Sequence, residues 1–363
     1  MPEGIARICN DATGATTRFY VAVRVTHCTG CQPIIRRMQV FRGFHHPHIA
    51  PACALTIGNF DGVHRGHQAM LALLGSEAQH RQLPSCVMTF EPHPRDHFAR
   101  LAGRPESAPA RIATLRDKLS ELERCGVQQV IVARFDSRFA ALSPQAFITD
   151  VLQRGLGAKY VLVGDDFCFG AKRAGDYAML DRAGPAGGFD VARMMSYEVH
   201  GRRVSSSAVR EALAAGDMAQ TATLLGRPYS VSGHVIHGRK LGRELGFRTL
   251  NLRFPHAKPA ASGIFVVRVH SLSDGPLNGV ASLGVRPTVE DAGRVLLETH
   301  CFDWPATLGV EGGYGRCIKV ELLHKLHDEL KYDGMQALTD GIARDERDAR
   351  AWLAEHSHTR LPR

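Results

Sequence analysis

The segment Gly58-Asn59-Phe60-Asp61-Gly62-Val63-His64-Arg65-Gly66-His67 constrains this chain more than any other stretch. It follows a short apolar run, Cys53 to Ile57, that reads as a buried strand. It leads into Gln68 to Leu74, which reads as a helix. A strand that breaks at glycines and restarts as a helix gathers backbone N–H groups and the positive end of a helix dipole at one spot. His64 and His67, three residues apart, are expected on one face of the first helical turn. That combination suits a phosphate chain better than a neutral ligand. Two blander readings stand beside it. One is a structural glycine loop; the other is a histidine metal pair, for which no third ligand is evident nearby in the sequence.

A chain of 363 residues is long for one core, so two domains are expected. No apolar run approaches the roughly 20 residues needed to span a bilayer, which argues against a membrane role. The net charge of +9 would allow nucleic-acid binding, but the lysines and arginines are dispersed with no basic run. Anionic small substrates fit this balance better. Nine cysteines scattered over the chain argue against a disulfide framework and for a reducing, cytoplasmic setting. Cys28 and Cys31 form a lone CxxC pair with no matching second pair. Residues 1–37 fit nothing downstream and read as an extension, either weakly ordered or arising from a misassigned start.

From about residue 53 to 222 the pattern alternates strand and helix. Strands are expected at Ser85–Phe90, Gln129–Ala133, Tyr160–Gly164 and Phe189–Met194, with helices at Ile112–Leu122 and Gln145–Leu152. Ser143 is expected as an N-cap, with Pro144 at the first helical position. Such alternation implies an α/β domain with a parallel sheet, whose ligands sit at the carboxyl ends of the strands. After about residue 224 the texture changes to short β-branched runs separated by turns: 230–236, 249–254, 263–270, 279–285, 296–302 and 317–323. These predict a small antiparallel β-barrel, closed by a terminal helix from Met335 to Leu353. The expected domains are therefore 38–222 and 223–363.

Three further segments carry chemistry in the first domain. Thr89-Phe90-Glu91-Pro92-His93-Pro94 follows a strand. Gly164-Asp165-Asp166-Phe167-Cys168-Phe169-Gly170 follows another. Ser205, Ser206 and Ser207 are good N-caps for a helix over Ala208–Ala215, whose N-terminus together with Arg210 makes a second anion site. Read alone, these serines are also ordinary caps and the aspartates a solvated turn. In this order the four segments resemble the GNFDGVHxGH, TFEPHP, GxDFxFG and SSTxIR signatures of bifunctional riboflavin kinase/FAD synthetases. The resemblance implies a Rossmann-like FMN adenylyltransferase domain. In it Gly58, Asn59, Phe60, Asp61, Gly66, Ser205, Ser206, Ser207 and Arg210 serve ATP and its phosphates, and His64 and His67 assist transfer. It places Pro92, His93, Asp165, Asp166 and Phe167 on the flavin side, with Asp61 helping to organise the loop or that side. Cys168 stands where the family often has arginine.

No GxxxxGK[ST] loop occurs, so a kinase here is not a P-loop enzyme. The stretch Gly233 to Phe247 is instead glycine-rich and basic, and read alone it is as much a basic hairpin as a nucleotide flap. It resembles the family's kinase stretch ending in GFPTAN, which implies ATP contacts at Gly238, Lys240, Gly242, Arg243 and Gly246. The PTAN motif reads Arg248-Thr249-Leu250-Asn251. Thr249 and Asn251, the family's Mg²⁺-coordinating pair, are retained. Two oxygens on alternate strand residues face the same way and suit a hard cation beside phosphate. Losing proline loosens the turn, and Leu250 is expected on the opposite face. Asn278 to Thr288 resembles GVxNxGxRPT, and Leu296 to Asp303 resembles the ExHxxD stretch, in which Glu298 matches the proposed general base.

The expectation is an enzyme that phosphorylates riboflavin to FMN and adenylates FMN to FAD, with ATP as co-substrate and Mg²⁺ as cofactor. Its partners are riboflavin, FMN, FAD and ATP, with neither nucleic acid nor membrane, and its oligomeric state is open. One alternative is an FMN adenylyltransferase whose barrel is kinase-impaired and only binds flavin, motivated by Arg248 and Leu250. The other is a nucleic-acid-binding module, motivated by the basic balance.

Overall fold

The structure, a computed structural model, describes residues 37–199, 201–238, 247–285, 295–309 and 311–356. The extension with Cys28 and Cys31, and the kinase stretch with Lys240, Gly242, Arg243 and Gly246, lie outside the described residues. The chain forms two compact units that interleave along the sequence. The first holds residues up to Phe60, His67–Ala108 and Leu119–Ser196; the second holds Asp61–Gly66, Pro109–Lys118 and Tyr197 onward.

The first unit is built on six strands: β1 (Gln39–Arg42), β2 (Cys53–Ile57), β3 (Ser85–Glu91), β4 (Gln129–Arg134), β5 (Ala158–Gly164) and β6 (Asp190–Met194). All pair in parallel, in the order β1-β4-β3-β2-β5-β6. Every residue of β2 is buried, as a strand covered on both faces requires. The helix Arg65–His80 turns Leu74 and Ala78 toward Ala54, Tyr160 and Leu162 of the sheet. Strand order reverses across β2, which lies between β3 and β5. Gly58 follows β2 and Gly164 ends β5, so both expected glycine turns fall at the carboxyl ends beside this reversal, where open α/β sheets bind ligands. β1 is a strand that the alternation did not predict.

Two helices differ from expectation. The expected 112–122 helix starts later, at Leu115–Arg124, where Thr114 caps it by accepting from Asp117 N, while Ile112 and Ala113 stay outside with their N–H groups on a carboxylate. Ser143 caps Pro144 as expected, its hydroxyl accepting from Ala146 N, but the continuation Phe147–Gly155 is a π-helix.

In the second unit a short antiparallel pair, β7 (Glu198–Val199) and β8 (Arg202–Arg203), comes first; β9 (Tyr229–Ile236), β10 (Thr249–Phe254), β11 (Gly263–His270), β12 (Leu277–Val285), β13 (Val295–Cys301) and β14 (Cys317–His327) then close an antiparallel barrel in the order β10-β13-β12-β11-β14-β9. Alternate residues fill it, among them Val231, Val235, Leu250, Leu252, Phe265, Val267, Leu283, Leu297 and Val320. Each fully buried aliphatic side chain contributes roughly 1.5–3 kcal/mol. Leu213 and Leu225, from the helices Ser206–Ala214 and Met218–Leu225, join this same apolar cluster. The terminal helix Met335–Glu355 packs Ala349, Trp352 and Leu353 with Val266 and Val280 on the outside of the barrel.

Candidate functional site

The glycine turn begins where β2 runs out. Gly58 N donates to Met88 O at 3.0 Å, the last link to β3. Phe60 then takes a left-handed φ of 48° and is buried, its ring 4.9 Å from the ring of His67. A non-glycine residue held there costs free energy that the surrounding packing must repay, a pattern found at ligand-binding turns. Thr89 Oγ1 donates to Asn59 O at 3.1 Å. Asn59 Oδ1 is buried without a hydrogen-bond partner among the described residues, an acceptor suited to a donor or cation that accompanies a ligand. His93 lies buried as the cap of the helix Pro94–Leu101, its Nδ1 accepting from Arg95 N. Asp165 accepts a hydrogen bond from Ser196 Oγ, and Phe167 stacks with Phe169 at 5.6 Å.

The next six residues belong to the second unit. Gly62 has φ +83°, and a Cβ there would lie 2.7 Å from Ile112 Cγ2, so only glycine fits. Asp61 is 1% exposed. Its carboxylate accepts from Arg210 Nη2 at 2.7 Å and from the N–H groups of Ile112 and Ala113 at 3.2–3.3 Å. Ser206 Oγ donates to Asp61 O, and Arg227 donates to Gly62 O and Val63 O. Burial alone would raise the Asp61 pKa, but Arg111, Arg210 and Lys118 bring it below the usual carboxylate range. Asp61 and Arg210 thus hold each other; the remaining Arg210 Nε donates to Ala110 O at 2.7 Å. Ser205 caps its helix as expected, accepting from Ala208 N.

His64 precedes the helix that starts at Arg65, so it does not share a helical face with His67. It is buried, and burial pushes its pKa down to about 4; Asp61 opposes the shift, while Arg210 and Arg227 add to it. With its pKa held down by burial, His64 favours the uncharged imidazole at neutral pH. Among the described residues no three His, Cys, Asp or Glu side chains come together to hold a metal ion.

A second cluster lies on the outer face of the barrel. Leu250, Leu252 and Phe254 point inward, which leaves Thr249 and Asn251 outside. Across the ladder Thr249 faces His300, and Asn251 faces Glu298, which faces Ser282 on β12. Directly opposed residues share a sheet face, so Thr249, Asn251 and Glu298 form one patch. Asn251 Oδ1 is buried with no partner among the described residues, and a Cβ on Gly238 would lie 2.4 Å from Asn251 Nδ2. An unmatched oxygen beside a threonine hydroxyl fits a hard cation. Leu250 fills the barrel on the opposite face, as expected. Arg248 donates to Gly309 O at 3.3 Å and lies over the Trp304 ring at 5.9 Å.

Sequence reading missed Arg111 and Lys118, the cations that join Arg210 around Asp61, and Arg227, which holds the backbone of Gly62 and Val63. Arg111 and Lys118 are wholly buried. Each is a lone basic residue in an unremarkable stretch, and nothing local marks it for burial.

Both parts of the chain resemble known proteins. Residues 46–208 match the FAD synthetase family, and residues 225–353 match the riboflavin kinase family. The chain is 45% identical over 318 residues to the Escherichia coli K12 bifunctional riboflavin kinase/FMN adenylyltransferase, covering 87% of this chain and 98% of that one. The Haemophilus influenzae protein of the same name is 42% identical over 317 residues, covering 87% and 99%. A crystal structure from Streptococcus pneumoniae described as a macrolide-efflux protein superposes with a TM-score of 0.68 at 27% identity, over 86% of this chain and 99% of that one. Among the described residues no helix is long and apolar enough to cross a membrane.

Proposed function

Since the chain belongs to the bifunctional riboflavin kinase/FMN adenylyltransferase family, we propose how its residues divide the two reactions. With ATP it phosphorylates riboflavin to FMN and adenylates FMN to FAD. We read residues 38–222 as the adenylyltransferase part and 223–363 as the kinase part, supported by the two family matches. Six free cysteines among the described residues support a reducing compartment, the cytoplasm.

The observation that carries the assignment is the register Asn251–Glu298, with a buried, unmatched Asn251 Oδ1 beside it. Thr249 and Asn251 would hold Mg²⁺, which when bound neutralises phosphate charge. Glu298 accepts the proton of the riboflavin 5′-hydroxyl as that oxygen attacks the γ-phosphate and ADP leaves. In the other reaction the FMN phosphate attacks the α-phosphate of ATP and pyrophosphate leaves. Little covalent chemistry falls to the protein there; it positions the groups and offsets charge. Gly58, Asn59, Gly66 and His67 receive the phosphates, with His64 as a neutral donor. Pro92, His93, Asp165, Asp166 and Phe167 line the flavin side. Leu250 points into the barrel, away from the Thr249–Asn251 face, and Arg248 lies over Trp304, so nothing favours the impaired-kinase alternative.

Glu298→Gln should abolish FMN formation from riboflavin and leave FMN-to-FAD conversion largely intact. His67→Ala should do the reverse. Chromatographic separation of flavins after incubation with ATP and Mg²⁺ measures both. Equal damage to both reactions by each variant would sink the two-site assignment.

A further inference from the structure

The segment Pro109–Lys118 is the least explained part of the second unit. It is irregular up to Thr114, yet four successive residues, Arg111 to Thr114, are buried. It is fastened at three places. Arg111 N donates to Lys258 O at 2.9 Å and Ala260 N donates back to Arg111 O at 3.1 Å, which joins it to the connection between β10 and β11. Ile112 N and Ala113 N hold the Asp61 carboxylate. The third fastening is Asp117. One of its oxygens, Oδ2, accepts from Thr114 Oγ1 at 2.7 Å, while Asp117 N donates back to that hydroxyl, which caps the helix Leu115–Arg124. The other oxygen, Oδ1, accepts Ser232 N at 3.1 Å and the Ser232 hydroxyl, both from β9 of the barrel.

A helix cap needs only the first of these oxygens. The second makes a continuous chain of contacts within one compact unit: Ser232 to Asp117, Asp117 to Thr114, and the adjacent Ala113 N–H to Asp61. From Asp61 it reaches Gly62, whose Cα is closed off by Ile112, and it reaches His64, which Asp61 faces electrostatically. The helix bearing Arg210 is tied to the same strap through Ala110 O. The two buried cations Arg111 and Lys118 and the buried Asp61 carboxylate keep their geometry only if the segment bearing Arg111 and Lys118 stays in place.

We propose that Asp117 is a positioning residue for adenylyl transfer, anchored on Ser232 of the kinase barrel. Through the Pro109–Lys118 strap it fixes Asp61, Gly62 and His64 in the phosphate-binding turn. The barrel therefore serves as a strut for the reaction it does not perform. This rests on the assignment of adenylyl transfer to the turn containing His64 and His67.

The test uses the full-length chain and follows riboflavin phosphorylation and FMN adenylylation separately in Asp117→Ala, Asp117→Asn, Ser232→Ala and His67→Ala. Misplacement of a site by a fraction of an ångström costs roughly tenfold or more in rate. Asp117→Ala should lower kcat for adenylylation by that amount, with riboflavin phosphorylation kept within about twofold. Ser232→Ala should lower the same reaction by a smaller factor. Asp117→Asn, which keeps an acceptor for Ser232, should recover most of the loss. Loosening the turn admits water to His64, so in Asp117→Ala the acid limb of the adenylylation profile should move to higher pH, whereas simple loss of folded protein would scale the whole profile. Parallel losses in both reactions, an unshifted acid limb, or adenylylation within twofold of the parent in both Asp117→Ala and Ser232→Ala would overturn the proposal. If Asp117→Ala does not fold, Ser232→Ala and Asp117→Asn carry the test. Full FAD formation by His67→Ala would instead overturn the site assignment itself.

Discussion

The glycine turn and the Thr249–Asn251–Glu298 patch, proposed to serve similar phosphate chemistry, stand on opposite structural terms. The turn is irregular backbone, with Phe60, Gly62 and Val63 all at left-handed φ. It is held by a buried ion cluster whose members are far apart in sequence, Asp61 with Arg111, Lys118 and Arg210. The patch stands on a regular ladder, where the register of β10 and β13 alone brings Asn251 opposite Glu298. The contrast explains their tolerance of change. In the turn nearly every residue is needed to hold its neighbours, and the motif survives unaltered. On the ladder, backbone hydrogen bonds set position, and Thr249 and Asn251 share one face with Leu250 turned to the other.

The widest gap between the two regions should appear on removing one polar group from each. Asp61→Ala leaves buried cations uncompensated and should lower unfolding free energy by about 3–5 kcal/mol in urea titration. Thr249→Val should cost kinase activity but only about 0.5 kcal/mol of stability. Similar losses in both would erase the distinction. A second expectation concerns acid. His64 has an ordinary value of 6.5 and a folded value of about 4. Between them the unfolded chain binds a proton that the folded chain refuses, so stability is full above about pH 6.5 and declines as pH falls toward 4. The loss is on the order of 3 kcal/mol. Urea midpoints across this window should flatten in His64→Gln; an unchanged slope would show that the imidazole is not held neutral. Smallest of all should be Arg248→Ala, which removes a guanidinium over Trp304 and an exposed hydrogen bond. About 0.5–1 kcal/mol of stability is expected, with riboflavin kinase turnover little altered. A tenfold fall in turnover would move Arg248 into the site and break the claim that the ladder alone sets it.

Local chemistry carried most of the reading. Apolar runs bounded by glycine and proline located β2 to β6 and the six barrel strands. The hydroxyls of Ser143 and Ser205 announced their caps, and the two-residue period put Leu250 opposite Thr249 and Asn251. These features depend on neighbours within a few residues, which is why a sequence displays them. Ile112 and Ala113 show the limit. Their apolar spacing reads as helix, yet their N–H groups bond to a carboxylate some fifty positions away.

The glycine turn, the parallel sheet, the barrel and the pair of reactions were thus determined by the sequence itself, through periodicity, turn residues and resemblance. Which charges are buried together was decided only by tertiary structure. Arg111, Lys118 and Arg227 look like any surface cation until the chain brings Asp61 and the backbone of Gly62 and Val63 to them. Burial of a charge is a property of the partner it meets, and that partner is a long-range neighbour that no local pattern records.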